Sequence, residues 1–293
     1  MAIVFHYPFF SSPKKEERSS LIKINQKVTD FSQIGSGMMA NKKSKILELM
    51  SKYNKVYEYE TIEQLDFELD IRLQIIKAAE LLFKSGVQFA TFQSSKCNEK
   101  YWRLTEKGAF ALKPNVLPQT AIEDIFLNGS KYSFECATAM VIIFYKAVLE
   151  SIDKKQFNTL FSDLYLYDWQ YDQDLDLRTY EGTDFLPGDC VYFKNPDHDP
   201  QTPQWQGENV IILDENLYYG HGIGIATSQD IIYVLNTKRK KNPSKSAFLT
   251  HQITRLHSHS LHPYKLKTFR KRPMFQQVSN LIISNIGSKT FLL

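Results

Sequence analysis

Nine consecutive residues, Ala137 to Tyr145, carry no charge, and the segment around them (131–151, KYSFECATAMVIIFYKAVLES) would put apolar side chains on most sides of a helix. A helix that is apolar all round has to be enclosed by other elements. The run is far short of the roughly 20 residues needed to span a bilayer. The rest of the chain must therefore wrap this helix, and its composition allows it. A chain of 293 residues, 43% apolar and 23% charged, can bury a large core as one domain or as two small ones.

What surrounds the helix reads as α+β. Residues 1–20 mix charge and serine in a loose leader that cannot build a core, and IGSGMMANKK (34–43) reads as a linker before a short helix at about 44–53. Thr61 and Gln64 stand at capping-box spacing, and Ile62, Leu65, Leu69, Leu73, Ile76, Ala79 and Phe83 recur at helical intervals up to Gly86. Short strands are expected at 87–92, 100–104 and 109–113, and a helix at about 119–127. From 164 to 235 the pattern turns to period two, in LYLYDWQY, CVYFK, NVIIL, GIGIA and IIYVL. Helices followed by a strand set predict helices packed on an antiparallel sheet, here within one domain over 21–262.

Charge is unevenly spread. After Asp230 there are 12 basic residues and no acidic one, so the first 230 residues carry a net −8 and the remainder +12. The last stretch, 263–293, reads as a basic appendage, solvated and partly flexible. No zinc-finger, RNP or helix-turn-helix pattern accompanies the charge, so no nucleic-acid partner is expected. Cys97, Cys136 and Cys190 are an odd number and too few for a disulfide framework, which predicts free thiols in a reducing cytosol. The first residues lack the basic start and apolar stretch of a secretory signal, and no transmembrane segment is expected. His257, His259 and His262 form an H-x-H-x-x-H cluster without a neighbouring Cys or carboxylate, so they read as a solvated segment and no metal site is expected. Gly222-x-Gly224 lacks the setting of a nucleotide loop, and no cofactor is expected.

The sharpest chemical feature is Cys136. With Ser133 as the N-cap, Cys136 falls in the first turn of the enclosed helix, where free N–H groups and the positive end of the helix dipole favour a thiolate. A Pro-Gly turn feeds the strand in LPGDCVYF (186–193), and ENVIIL (208–213) starts a second strand with Glu208. A helix-borne Cys, a PGD-turn strand and a strand led by a general base resemble the papain-like NlpC/P60 layout, whose members usually carry His where this chain has Glu208. A Glu serves as the base there only if burial raises its pKa toward neutrality, and Trp205 with the Val210–Ile212 run makes desolvation plausible. His221, between Gly220 and Gly222, is a second candidate base or an orienting group. Glu135 precedes the thiol and flanks the site.

These stretches also match a family. FATF (89–92), FECATA (134–139), LYDW (166–169), GDCVYFKNP (188–196), GENVI (207–211) and HGIGI (221–225) resemble the spore-coat protein-glutamine gamma-glutamyltransferases of Bacillus-like spore formers. The resemblance runs from about residue 21 to 262. It implies that Cys136 is the nucleophile, that Glu208 is its dyad partner and that Glu135 assists. It also implies that Phe89, Trp169 and Trp205 line a substrate channel, that no calcium is needed, and that the substrates are spore-coat proteins with accessible Gln and Lys. A protein of this kind is made in the cytoplasm and deposited on the spore surface.

The chemistry of such a site is thiol acyl transfer. Attack of Cys136 on a glutamine carboxamide releases ammonia and leaves a thioester, which a lysine amine opens to an isopeptide. Aromatic walls are needed to exclude water and to desolvate the amine, and Phe89, Trp169, Tyr171 and Trp205 are the candidates. The competing readings are a cysteine amidase or peptidase on the same fold, with water as acceptor, and a non-catalytic coat scaffold. Oligomeric state is not readable from the sequence.

Overall fold

The computed structural model describes residues 22–28 and 38–266, together with the backbone of three strands between 275 and 292. The leader over 1–20 lies outside the described residues. Six α-helices occur among them: α1 (Met38–Lys52), α2 (Ile62–Lys84), α3 (Pro118–Leu127), α4 (Cys136–Leu149), α5 (Lys154–Leu160) and α6 (Ser228–Asn236). Helix α4 is the enclosed helix, and every residue from Ala137 to Leu149 is buried. Its flank is α2, which starts where Thr61 Oγ1 accepts from the Gln64 amide at 3.3 Å. Gln64 reaches back to the Glu60 amide at 2.8 Å, one residue before the cap. Helix α2 is itself buried on more than the one face its period suggests. Phe67, Ile71 and Ile75 are enclosed along with Leu65, Leu69 and Ile76, whereas Ile62 and Phe83 at its ends are exposed.

Six strands make the main sheet: β1 (Leu177–Glu181), β2 (Cys190–Lys194), β3 (Gly207–Asp214), β4 (Leu217–Gly220), β5 (Gly224–Ala226) and β6 (Phe248–Leu256). Their order is β5-β4-β3-β2-β6-β1, with every neighbouring pair antiparallel. Strand β3 is central and buried on both faces, which is why NVIIL reads as a continuous apolar run and not as an alternation. Ile211, Leu213 and Tyr219 meet the α2/α4 core, while Val210, Ile212 and Tyr218 meet Ile231 and Leu235 of α6. The result is three layers, with helices on both faces of the sheet.

The IIYVL segment (231–235), expected as a strand, is helix α6. Thr227 and Asp230 form a capping box ahead of it. Ile231 and Leu235, four apart, are buried, while Tyr233 between them is 71% exposed. In a strand all three would share a face, so the burial pattern demands a helix. Helix α1 begins at Met38, inside the segment read as a linker. The LYLYDWQY stretch contributes only Tyr165–Leu166 to a strand, because Asp168 has a left-handed backbone (φ 50°) and the chain turns there. Edge strand β1 and its inner neighbour β6 are not anticipated by the period-two reading.

The His cluster also differs from expectation. His257 Nδ1 lies 3.0 Å from Asp176 Oδ2, His259 packs edge-on to Tyr59, and His262 packs on Phe67 of α2. Lys265, in the segment read as the appendage, bonds to Asp66 of α2 at 3.3 Å, and the Leu266 amide donates to the Ser151 carbonyl. Farther on, Phe275–Val278, Leu281–Ile286 and Lys289–Leu292 pair with one another as a separate antiparallel sheet.

Candidate active site

Three local arrangements converge on one cavity. Helix α4 begins with Cys136. Just before it, Ser133–Phe134 pairs in parallel with Gln88–Phe89, which carries Phe89 up to the start of the helix. Antiparallel pairing of Tyr192 with Asn209 brings the start of β3 over the same point. The cavity so formed has a volume of about 510 Å³, and Cys136, Glu135, Phe89 and Trp169 all line it.

The cap of α4 is Glu135, not Ser133, which is held in the short strand. The Glu135 carboxylate accepts from the Ala137 amide at 2.7 Å and from the Thr138 amide at 2.5 Å. This reverses the expected electrostatics of the thiol. A carboxylate sits on the end of the helix where the dipole would have favoured a thiolate. Burial, the Glu208 charge and the Glu135 charge together push the Cys136 thiol well above its ordinary value, against a smaller pull from Asn209. The resting residue is a neutral thiol. Asn209 Nδ2 donates to its sulfur at 3.7 Å.

Glu208 is 1% exposed, and its Oε1 has no hydrogen-bond partner. Burial first, and the Glu135 charge second, push its carboxyl well above the usual carboxylate range. Gly220 makes room for it, since a Cβ there would stand 3.0 Å from Glu208 Oε1. His221 follows directly and is buried, with Nδ1 3.1 Å from the Tyr219 hydroxyl and its ring stacked on Phe134. Burial lowers its pKa to about 4, so it is uncharged at neutral pH. Gly222, at φ 127°, lets the Phe89 ring approach to where a Cβ would lie 3.0 Å from Cδ2. The two glycines therefore admit a carboxylate and an aromatic wall.

A thiol at a helix start, with a buried carboxyl of a neighbouring strand acting on it electrostatically, is one arrangement for acyl transfer, and comparison with known proteins decides the family. The family model described as protein-glutamine gamma-glutamyltransferase matches residues 21–265. Proteins of that name from Bacillus anthracis and Bacillus cereus are each 46% identical over 259 residues, covering 86% of this chain and 92% of theirs. The chain belongs to the protein-glutamine gamma-glutamyltransferase family. A solved transglutaminase from Geobacillus stearothermophilus, described as lacking its C-terminal extension, has a TM-score of 0.68 and 54% identity, covering 70% of this chain and 98% of that one.

Within this transglutaminase-family cavity the expected aromatic walls divide. Phe89 and Trp169 line it. Trp205 stands behind Phe89, stacked on it with centroids 6.0 Å apart, and the Lys238 ammonium lies over the Trp205 ring, 5.1 Å from its centroid. Tyr171 does not line the cavity; its hydroxyl donates to the Leu177 carbonyl at 3.2 Å and its ring packs on the main core. Glu208 and His221 also sit outside the lining, sealed behind it. Sequence reasoning misses Asn209, Tyr192 and Asp168, which do line the cavity. The available signal for Asn209 and Tyr192 is their cross-strand pairing, which needs a register that the sequence does not display. Among the described residues no group of three or more His, Cys, Asp or Glu is arranged to hold a metal ion, and no helix is long and apolar enough to cross a membrane.

Proposed function

We propose that this chain joins protein glutamines to lysines as γ-glutamyl-ε-lysine cross-links through a thioester on Cys136. The observation that carries this reading is that Cys136, unlike buried Cys190, opens on the cavity while a buried carboxyl with an unpartnered oxygen acts on it electrostatically. In the first half-reaction the thiol proton passes to Glu208 and sulfur attacks the glutamine carboxamide carbon. The C–N bond breaks, ammonia leaves with the proton held by Glu208, and the acyl group stays on sulfur. In the second, a neutral lysine amine attacks the thioester, the C–S bond breaks, and the amine proton returns to sulfur through Glu208.

The electrostatics favour Glu208 as the proton carrier. Burial raises its carboxyl well above the usual carboxylate range, which makes it a stronger base than an exposed Glu. One negative charge moves from Glu208 to Cys136, so these two groups are never charged together, and only Glu135 remains as a neighbouring like charge. Both Glu135 oxygens are engaged by helix amides, which suits it to hold the helix start and to assist only secondarily. Asn209 stabilises the thiolate once formed. His221, neutral and stacked on Phe134, backs the Phe89 ring.

This reading includes a papain-like core, with the Cys-bearing helix packed on an antiparallel sheet within a single catalytic domain from about residue 21 to 262. Both half-reactions are written with side chains of this chain alone, so calcium independence is part of the proposal. The substrates we assign are spore-coat proteins, and the site of action is the spore surface. Relatives from Bacillus species and the motif resemblance support that assignment.

The test is cross-linking of a casein-like Gln/Lys substrate in the presence of EDTA, with wild type and Cys136→Ala side by side. Ladders from wild type alone are expected. Ammonia release without ladders would move the assignment to a hydrolase, and equal iodoacetamide reactivity of all three cysteines would leave only a scaffold.

A further inference from the structure

The charges lining the cavity point to how the second substrate is recognised. Among the described residues two charged side chains line it, Glu135 and Asp168, and both are acidic; no described Lys, Arg or His does. Their situations differ. Glu135 spends both oxygens on the helix amides, whereas the Asp168 carboxylate has no hydrogen bond or ion pair among the described residues. Asp168 is exposed at the mouth, next to Trp169 in the same turn.

The turn is held in place. Asp168 has φ 50°, a conformation that non-glycine residues seldom adopt, and Asp and Asn tolerate best. The Asp168 amide donates to Thr138 Oγ1 at 2.9 Å, and Thr138 lies two residues beyond Cys136 on α4. The Gln170 amide closes the turn on the Tyr167 carbonyl at 2.9 Å. The carboxylate is therefore tied to the helical turn that bears the thiol, and its strain is maintained by a hydrogen bond from the site itself.

The two substrates differ in charge. A glutamine carboxamide is neutral, whereas a lysine is an ammonium until it loses a proton. We infer that Asp168 is the docking residue for the acyl-acceptor amine: its carboxylate receives the lysine ammonium at the mouth, with the methylene stem along Trp169, before the neutral amine advances to the thioester. This rests on the acyl-transfer reading of the site. Asp168 is on this account a positioning residue, acting on binding of the amine and not on bond making. A long cationic side chain laid on an aromatic ring with its head at a carboxylate gains from both contacts.

The experiment uses the full chain, a glutamine-containing peptide as donor, and two acceptors at neutral pH: cadaverine, which is cationic, and hydroxylamine, which is uncharged. Asp168→Asn keeps the left-handed turn and removes only the charge. The expected result is a KM for cadaverine raised about threefold to fivefold, as fits a partly exposed pair, with kcat and the hydroxylamine KM unchanged. Asp168→Glu restores part of the difference, and added salt raises the cadaverine KM of wild type but not of Asp168→Asn. An unchanged cadaverine KM, or an equal loss with both acceptors, overturns the inference while leaving acyl transfer intact. Failure of wild type to form the hydroxamate overturns the acyl-transfer reading and the inference with it.

Discussion

Asp189 and Glu208 are both fully enclosed carboxyl groups beside the starts of neighbouring strands, β2 and β3, yet their surroundings are opposite. Asp189 accepts from Arg72 Nη1 at 2.9 Å, from Arg255 Nε at 2.8 Å and Nη2 at 2.6 Å, and from the Leu186 amide at 2.9 Å. Glu68 and Asp184 extend the alternation of charge, through Arg72 and Arg255 respectively. Although burial opposes it, the guanidinium groups hold the Asp189 carboxyl below its ordinary range. Among the described residues Glu208 has no cationic partner; it has one oxygen without a hydrogen bond, and a second carboxylate, Glu135, whose charge adds to burial. The lesson is that burial alone does not make a group reactive. A buried charge that is paired holds elements together, here α2 to β2 and β6, while a buried acid that is left wanting a proton is available for chemistry.

Four predictions break or sharpen that contrast. The largest effect belongs to Cys136→Ala, which should lower cross-linking by at least about a thousandfold while urea unfolding stays within about 1 kcal/mol of wild type. A large loss of stability there would mean that the thiol is a structural residue. Next comes Asp189→Ala, which removes the carboxylate shared by buried Arg72 and part-buried Arg255 and leaves each with one acidic partner. It should destabilise by about 3–5 kcal/mol in urea titrations, and a loss below about 1 kcal/mol would show the network to be dispensable.

Glu208→Gln should lower activity by about a hundredfold or more, and its stability should respond to pH in the direction opposite to the Asp189 network. The folded Glu208 pKa lies above 4.5, so between that value and the folded one the native state binds more protons than the unfolded chain. Wild-type stability therefore falls as pH rises through this window, and Glu208→Gln removes that slope. Asp189 is shifted below 3.8, so the stability it supplies is complete above that value and lost as pH falls through its lower folded pKa. Urea titrations over a pH series read both slopes. Identical pH profiles for wild type and Glu208→Gln would remove the contrast.

The smallest effect is on the thiol itself. Asn209→Ala withdraws the amide from sulfur and should slow iodoacetamide alkylation of Cys136 by about tenfold at neutral pH, with Cys97 as an internal reference. Burial pushes the Cys97 thiol up to about 11, so it should react slowly in both proteins. Equal alkylation rates would show that Asn209 does not support the thiolate.

Local periodicity made α2, α3 and α4 legible, along with the Pro-Gly turn into β2 and the buried strand β3, because those features depend on residues close in sequence. It misread α6, where a strand of five β-prone residues competed with a capping box that the structure shows to be decisive. It also missed β6, nine residues from Phe248 to Leu256, whose place depends on pairing with β2 and β1 and not on its own pattern. Of the site, Cys136, Glu135 and Glu208 were readable as residue types at recognisable positions. The identity of the cap was not: Ser133 is the preferred residue type, and only the pairing of Ser133–Phe134 with Gln88–Phe89, which holds it in a strand, passes the cap to Glu135.

That a fully apolar helix led by a cysteine must be enclosed, that strands follow it, and which motifs mark the family are all consequences of composition and near-neighbour spacing. The protonation state of the thiol instead follows from tertiary packing. The helix start alone favours a thiolate, but the charges of Glu135 and Glu208 and the loss of water outweigh it. The same holds for which aromatic residues face the cavity and for the placing of Asp168 at its mouth. Electrostatic energies and cavity walls depend on distances between elements far apart in the chain, and those distances exist only once the sheet register and the packing of α4 are set.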